Sequence, residues 1–382
     1  MTPAEFTFAT ATEIRFGRGA GVQSIPDILA LGSRILVVTG ANAGRAAWLV
    51  EALVGDDREI GCFPVAREPD VTLVEAGVSA ARAADAELIV SIGGGAAIDT
   101  GKAISALTPA RRPTMDHLEV VGKGLPLERT PLAFVAIPTT AGTGAEVTRN
   151  AVIGVPGARR KVSLRDRSML PRLAIVDPAL TDSCPRAVTL ASGLDAVTQV
   201  IEPYVCARSN PFTDALCRSA IPAGLVALRR LMRGENAQAR ETMAWVSLCG
   251  GLALSNAGLG VIHGLAGPLG GLTGAPHGAI CGALLPHGLA ANAARVGDQP
   301  VAARFWDVRR WIAEALGGGT EEAFDRLADW SGQNGLPDLG ALGISADDRL
   351  KAAEAAAASS SMKANPVELT VAELVELMEA AS

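Results

Sequence analysis

The sequence has no CxxC pair, no run of basic residues and no uninterrupted apolar stretch of membrane-spanning length, and each absence removes a class of function. The six cysteines (62, 184, 206, 217, 249 and 281) show no disulfide-framework spacing, so they read as small buried residues of a chain kept in a reducing compartment. A formal net charge of −6 without a basic cluster argues against nucleic acid and anionic membrane surfaces as partners. The first twenty residues lack a basic region followed by an apolar one, so no signal peptide is expected and the cytoplasm is the expected location. Charge itself is missing from Thr242 to Ala294. A membrane hairpin is one explanation of that gap. Asn256, His263, Pro268, Pro276, His277, Pro286 and many glycines interrupt it, however, so no clean span of about 20 apolar residues remains. Buried helices around a site are the better expectation.

What is present suits two domains: 382 residues, 49% hydrophobic and 19% charged. In the first half, "RILVVTG" (34–40), "AELIVSIGGG" (86–95), "PLAFVAIPTT" (131–140) and "RLAIVDP" (172–178) are short apolar runs ending at Gly, Pro, Thr or Asp. Such runs read as buried parallel strands. Helical patterns in "PDVTLVEAGVSAARAAD" and "AAIDTGKAISAL" lie between them, and the alternation predicts a Rossmann-like, doubly wound parallel sheet. Beyond Asp177-Pro178 the texture turns helical to the end. The expected division is an α/β domain over 1–179 and an all-helical domain over 180–382. "KAAEAAAASSSMKANP" (351–366) reads as low complexity or as a helix followed by a loop, and there is no internal repeat.

Three features carry chemistry. "SIGGGAAIDTGKAIS" (91–105) is a strand, three glycines and a helix, in which bare backbone amides and a helix N-terminus can face a phosphate. It is not the GxGxxG fingerprint, and a triple glycine is also a common tight turn; its place at a strand end, with Asp99 close behind, favours a ligand. "IPTTAGTGAEVTRNAVI" (137–153) brings Thr139, Thr140, Thr143 and Thr148 to a second strand end, where hydroxyls can hold ribose, or form an ordinary Ser/Thr turn. Third, three of only four histidines (263, 277 and 287) fall in the charge-free segment. With Asp195 they offer oxygen and nitrogen donors for a divalent cation. Asp195 and Gln199, four apart in "ASGLDAVTQVIEPYV", share one helical face.

In this order, "EIRFGRGA", "SIGGGAAIDTGKAIS", "AIPTTAGTGAEVT", "ASGLDAVTQVIEPYV", "GVIHGLAGPLGG", "PHGAICGALLPH" and "NPVELTVAELVEL" make the chain resemble, nearly end to end, the iron-containing (group III) alcohol dehydrogenases of the dehydroquinate synthase-like fold. The resemblance implies a nucleotide-binding first domain and a metal and substrate second domain, NAD(P)-dependent hydride transfer between an alcohol and an aldehyde or ketone, a divalent metal in the interdomain cleft, a small-molecule substrate and a homodimer. It assigns Gly93, Gly94, Gly95 and Asp99 to the pyrophosphate and Thr139, Thr140, Thr148 and Lys161 to the rest of the coenzyme. It places the metal on Asp195, His263 and His277, with Gln199 where the family has a third histidine. Iron or zinc, bound weakly through that amide oxygen, is the expected occupant.

Two further departures accompany Gln199. Gly267 in "HGLAG" stands where members commonly have a histidine near the nicotinamide. "VVTGANAGR" ends the first strand with Gly40, Asn42 and Arg45 in place of the acid that NAD-preferring members use for the ribose 2′-hydroxyl, so NADP(H) is open to it. No side chain stands out as general acid; the proton relay is left to bound water or a ribose hydroxyl. The alternative is a metal-independent, maleylacetate-reductase-like carbonyl reductase. A lyase of the dehydroquinate synthase type is disfavoured by the motif match, and a decayed nucleotide-binding protein by the intact phosphate loop and the three retained ligands.

Overall fold

A computed structural model describes residues 5–357, 359 and 361–382; the first four residues and part of the Ala/Ser stretch lie outside the described residues. The chain divides into two compact units. One comprises Thr10–Thr140 and Gly144–Asp182. The other comprises Ser183–Ser382, the short segment Ala141–Thr143 and the described residues up to Ala9.

The first unit is built on strands β1 (Glu13–Phe16), β2 (Arg34–Gly40), β3 (Glu59–Val65), β4 (Leu88–Gly93), β5 (Ala133–Pro138), β6 (Asn150–Val155), β7 (Arg160–Arg165) and β8 (Leu173–Val176). Six of them form a sheet in the order β1-β8-β5-β4-β2-β3, parallel throughout, and β6 and β7 form an antiparallel hairpin. The apolar runs form central strands because both faces are covered: Ile35, Val37, Val90 and Val135 pack into one core, Leu36, Val38, Ile89 and Phe134 into the other. Each such side chain contributes about 1.5–3 kcal/mol on burial. Asp70 caps the helix Val71–Ala83 by accepting from Leu73 N at 2.8 Å, and the helix Gly95–Leu107 follows β4.

In the second unit, 15 of the 20 residues of the helix Arg186–Val205 are buried, so it forms a central post rather than a surface helix. The helices Pro211–Arg233, Ala237–Asn256, Val261–Thr273 and His277–Arg295 belong to the same core. Glycines explain how closely they approach. A Cβ at Gly250 would lie 3.0 Å from Gln199 Cβ, at Gly278 2.8 Å from Ala191 O, and at Gly282 2.9 Å from Leu194 Cδ1. The charge-free segment is therefore a set of notched helices closing on the Arg186–Val205 post. No single described helix is long and apolar enough to cross a membrane, and the one pair that qualifies jointly is bent by 96°. Cys62 departs from the expectation of burial: it is exposed on the edge strand β3, while the other five cysteines are buried.

Candidate coenzyme site and metal centre

In the sheet unit, Gly40, Asn42, Arg45, Gly93, Gly94 and Thr139 line a single cavity at the C-terminal ends of the adjacent strands β2, β4 and β5. The two glycines differ in kind. A Cβ at Gly93 would strike Ala97 Cβ at 2.6 Å, so Gly93 is needed for strand-to-helix packing. At Gly94 a Cβ would make only ordinary contacts, at 3.4 and 3.5 Å to Thr140, so the protein itself does not need a glycine there. Gly94 is also the N-cap of Gly95–Leu107 and supplies no side-chain cap, which leaves the amides at that N-terminus open to an anion. Thr139 is fixed by its N–H donating to Gly93 O at 2.9 Å. Gly40 faces open space, Asn42 accepts from Gly44 N at 3.1 Å, and Arg45 donates to Leu180 O at 2.8 Å.

Three other expected coenzyme residues, Asp99, Thr148 and Lys161, also bond to neighbours within the unit. Asp99 accepts from Val152 N at 3.0 Å and stands 3.8 Å from Lys102 Nζ. Thr148 is buried, its hydroxyl accepting from Lys102 Nζ at 2.7 Å. Lys161 on β7 pairs with Glu68 at 3.3 Å. Lys102 itself is buried and also donates to Ala145 O (2.7 Å) and Asn150 O (2.9 Å), tying the threonine-rich loop to the glycine-loop helix. Burial pulls its pKa down to about 8 against the pull of Asp99 and Glu146. Burial also pushes the Glu146 carboxyl up to about 7, with a backbone hydrogen bond and Lys102 opposing.

In the helical unit, one turn brings the candidate metal ligands together. The helix Val261–Thr273 ends at Gly274, whose φ of 75° is the left-handed cap that glycine adopts without strain, and Pro276 N-caps the next helix. His263 thus lies in the first turn of one helix and His277 at the first position of the next, both against Asp195. His263 Nε2 and His277 Nε2 stand 3.4 and 3.8 Å from Asp195 Oδ1. Cys281 Sγ is 3.6 Å from His277 Nε2, and the donor atoms of Asp195, His263, His277 and Cys281 all lie within 4.8 Å of one another. His263 Nδ1 is taken by Glu202 Oε2 at 2.6 Å, and Glu202 Oε1 accepts from Ile262 N at 2.7 Å. That contact turns Nε2 inward, the orienting role a carboxylate plays behind a metal-binding histidine.

Electrostatics follow the same geometry. Burial works to raise the Asp195 carboxyl, but His263, His277 and the Gln199 amide outweigh it and hold the pKa below the usual value. Burial likewise opposes charge on His277, yet Cys281 and Asp195 lift it to about 9; His263 is raised too, burial being outweighed chiefly by Cys281 and Glu202. Gln199 donates through Nε2 to Gly142 O at 3.1 Å. Gln199 Oε1 is buried with no hydrogen-bond partner among the described residues, a cost of about 1–3 kcal/mol, and Asp195 Oδ1 has only its ion-pair contacts with the two histidines; a cation would satisfy both oxygens. Carboxylate, two imidazoles and a thiol suit a divalent late first-row metal. The residues fit one.

His287 is not part of this group. It follows His277 by ten residues, about 15 Å along the same helix, and Asp325 is the charge that acts on it. Cys281 and Glu202 were not among the expected residues. Both carried a signal: Cys281 is at i+4 from His277, and Glu202 continues the Asp195–Gln199 face at i+7.

Family models describe both parts of the chain: "iron-containing alcohol dehydrogenase" matches residues 11–178 and the C-terminal model of the same family residues 189–382. The chain belongs to the iron-containing alcohol dehydrogenases. It is 33% identical to lactaldehyde reductase of Escherichia coli (strain K12), over 83% of this chain and 82% of that one. NAD-dependent methanol dehydrogenase of Bacillus methanolicus is 31% identical over 95% of this chain and 96% of its own. A solved 1,3-propanediol oxidoreductase superposes with a TM-score of 0.89 at 30% identity, covering 99% of this chain and 100% of that one. As a member of this family the chain is an oxidoreductase acting on CH–OH groups, interconverting alcohols and aldehydes or ketones.

Proposed function

We propose that the protein is an NAD(P)-dependent alcohol dehydrogenase and aldehyde or ketone reductase that uses a divalent cation and takes small, mostly uncharged substrates. The observation that carries this reading is the convergence of Asp195, His263 and His277 from three helices onto one point. By family likeness the enzyme works as a homodimer in the cytoplasm.

When bound, the nicotinamide supplies or accepts the hydride and the cation supplies Lewis acidity. The chain's own residues do the rest. The Gly94 backbone and the open N-terminus of Gly95–Leu107 bind the pyrophosphate, with Gly93, Gly95 and Asp99 shaping that loop. Thr139, Thr140, Thr148 and Lys161 serve the remainder of the coenzyme. Gly40 leaves room for a 2′-phosphate, so NADPH is accepted at least as well as NADH. Asp195, His263 and His277 hold the cation, Glu202 keeps His263 Nε2 directed at it, and Gln199 lies on the same helical face. Gly267, where a Cβ would meet nothing within 4 Å, leaves open room one turn beyond His263.

The metal-independent, maleylacetate-reductase-like alternative is not favoured: it leaves Gln199 Oε1 buried without a hydrogen-bond partner and Asp195 Oδ1 with its histidine ion pairs alone. The deciding experiment follows oxidation of short primary alcohols and diols, and reduction of their aldehydes, with NAD(H) and NADP(H), before and after chelation and reloading with zinc or iron. Turnover that falls on chelation and returns with metal supports the reading. Full turnover in protein shown to be metal-free overturns the role of the cation, and no turnover with either coenzyme overturns the whole assignment.

A further inference from the structure

Gln199 raises a question of ligand number. Its amide nitrogen is committed to Gly142 O, and a neutral amide oxygen is a poor substitute for an imidazole on a late first-row metal. One helical turn after His277, Cys281 presents Sγ to the same point from a fully buried position. Donors placed 2.0–2.3 Å from a tetrahedral zinc stand roughly 3.3–3.8 Å from one another. His263 Nε2 and His277 Nε2 lie 3.4 and 3.8 Å from Asp195 Oδ1, Cys281 Sγ lies 3.6 Å from His277 Nε2, and one donor atom from each of the four residues lies within 4.8 Å of the others.

The geometry points to Cys281 as the fourth ligand: a one-Asp, two-His, one-Cys centre in which the thiolate takes the place that Gln199 leaves weak. This rests on the reading that the protein binds a divalent cation, and it changes what that cation is. Thiolate sulfur favours zinc over the harder iron(II). Two anionic donors also balance the two positive charges of the ion, where a centre with Asp195 as its single anionic donor keeps one, so the ion in this protein is the milder Lewis acid. Coordination through sulfur displaces the thiol proton to solvent, with no change of oxidation state.

Cobalt(II), titrated into the metal-free full-length chain, reports sulfur directly, because thiolate ligation produces an intense near-ultraviolet charge-transfer band that nitrogen and oxygen donors do not. The expected result is one equivalent bound with that band present, its loss in both Cys281→Ser and Cys281→Ala, and its persistence in Gln199→Ala and in Cys62→Ser, which removes the exposed thiol. Zinc affinity of Cys281→Ser should fall at least about 100-fold, beyond the 10–100-fold typical of a lost outer partner. One equivalent of cobalt bound by the wild type without the band overturns the role of Cys281 and leaves the metal reading standing. Failure of the wild type to bind cobalt or zinc at all overturns both.

Discussion

The two units build their sites from opposite materials. At the ends of β2, β4 and β5 the candidate coenzyme site is main chain: Gly94 contributes by having no side chain, and the open amides of the following helix by having no cap. In the helical unit the candidate site is side chains alone, carried on helices whose close packing is set by neighbouring glycines. A backbone site tolerates few changes, because any Cβ fills the room the ligand needs. A side-chain site can exchange one donor for another while every helix stays in place. Cys281 taking the place that Gln199 leaves weak would be such an exchange; at Gly94 no side chain can replace the bare backbone.

The sharpest way to break this contrast is Gly94→Val. Thr140 leaves room for a Cβ, so the unit should fold, but the branched side chain occupies the approach of the pyrophosphate. Loss of two or more charge-assisted hydrogen bonds predicts at least about a 100-fold rise in the NAD(P)H dissociation constant, read by fluorescence titration. Unchanged affinity would mean the coenzyme is not held there. Next in size, Glu202→Gln frees His263 Nδ1 from a carboxylate; zinc affinity should drop about 10–100-fold while the circular dichroism of the helices is retained. Affinity equal to that of the wild type would show that the contact only packs.

Gly40→Asp should produce a smaller, selective effect. Open space at Gly40 admits the side chain, and its charge repels a 2′-phosphate, so the NADPH-to-NADH ratio of kcat/KM should fall about tenfold. A wild-type enzyme that already rejects NADPH would sink that argument. The smallest effect is expected from Glu146→Gln. The Glu146 carboxyl is raised by burial from 4.5 to about 7, so its contribution to stability is complete below pH 4.5 and lost as pH climbs through 7. The variant, which does not titrate, should gain on the wild type over that interval by on the order of 1 kcal/mol in thermal unfolding. If buried side chains of this unit are scaffold, coenzyme affinity should survive the change.

Legibility follows the same division. β2 could be read residue for residue from "RILVVTG" because burial on both faces makes a strand one continuous apolar run. β3 could not: it is an edge strand with Gly61 and Pro64, half exposed, and shows neither a run nor an alternation. The hairpin β6–β7 was likewise hidden behind the threonine-rich loop and its charged neighbours. Among candidate site residues, His263 and His277 could be chosen because a rare residue type in a charge-free segment stands out, and Asp195 because it shares a helical face with Gln199 in a motif of the family. His287 stood out equally and lies elsewhere, since three nearby histidines in sequence need not share a helical face. Cys281 was hidden by its company: among six cysteines it looked like packing, and its spacing from His277 has meaning only once the two helices are seen to meet Asp195.

The turn at Gly274 and Pro276 has a mechanical consequence. It sets two helices against a third, and the donors they carry come together only in the folded unit, so the unfolded chain offers an ion no comparable site. An ion held there acts as a staple that ties two consecutive helices to the earlier Arg186–Val205 helix, closing the long loop between them. Each tenfold excess of free ion over its dissociation constant then adds about 1.4 kcal/mol to the unfolding free energy of the helical unit, so the melting temperature itself becomes a meter of metal supply.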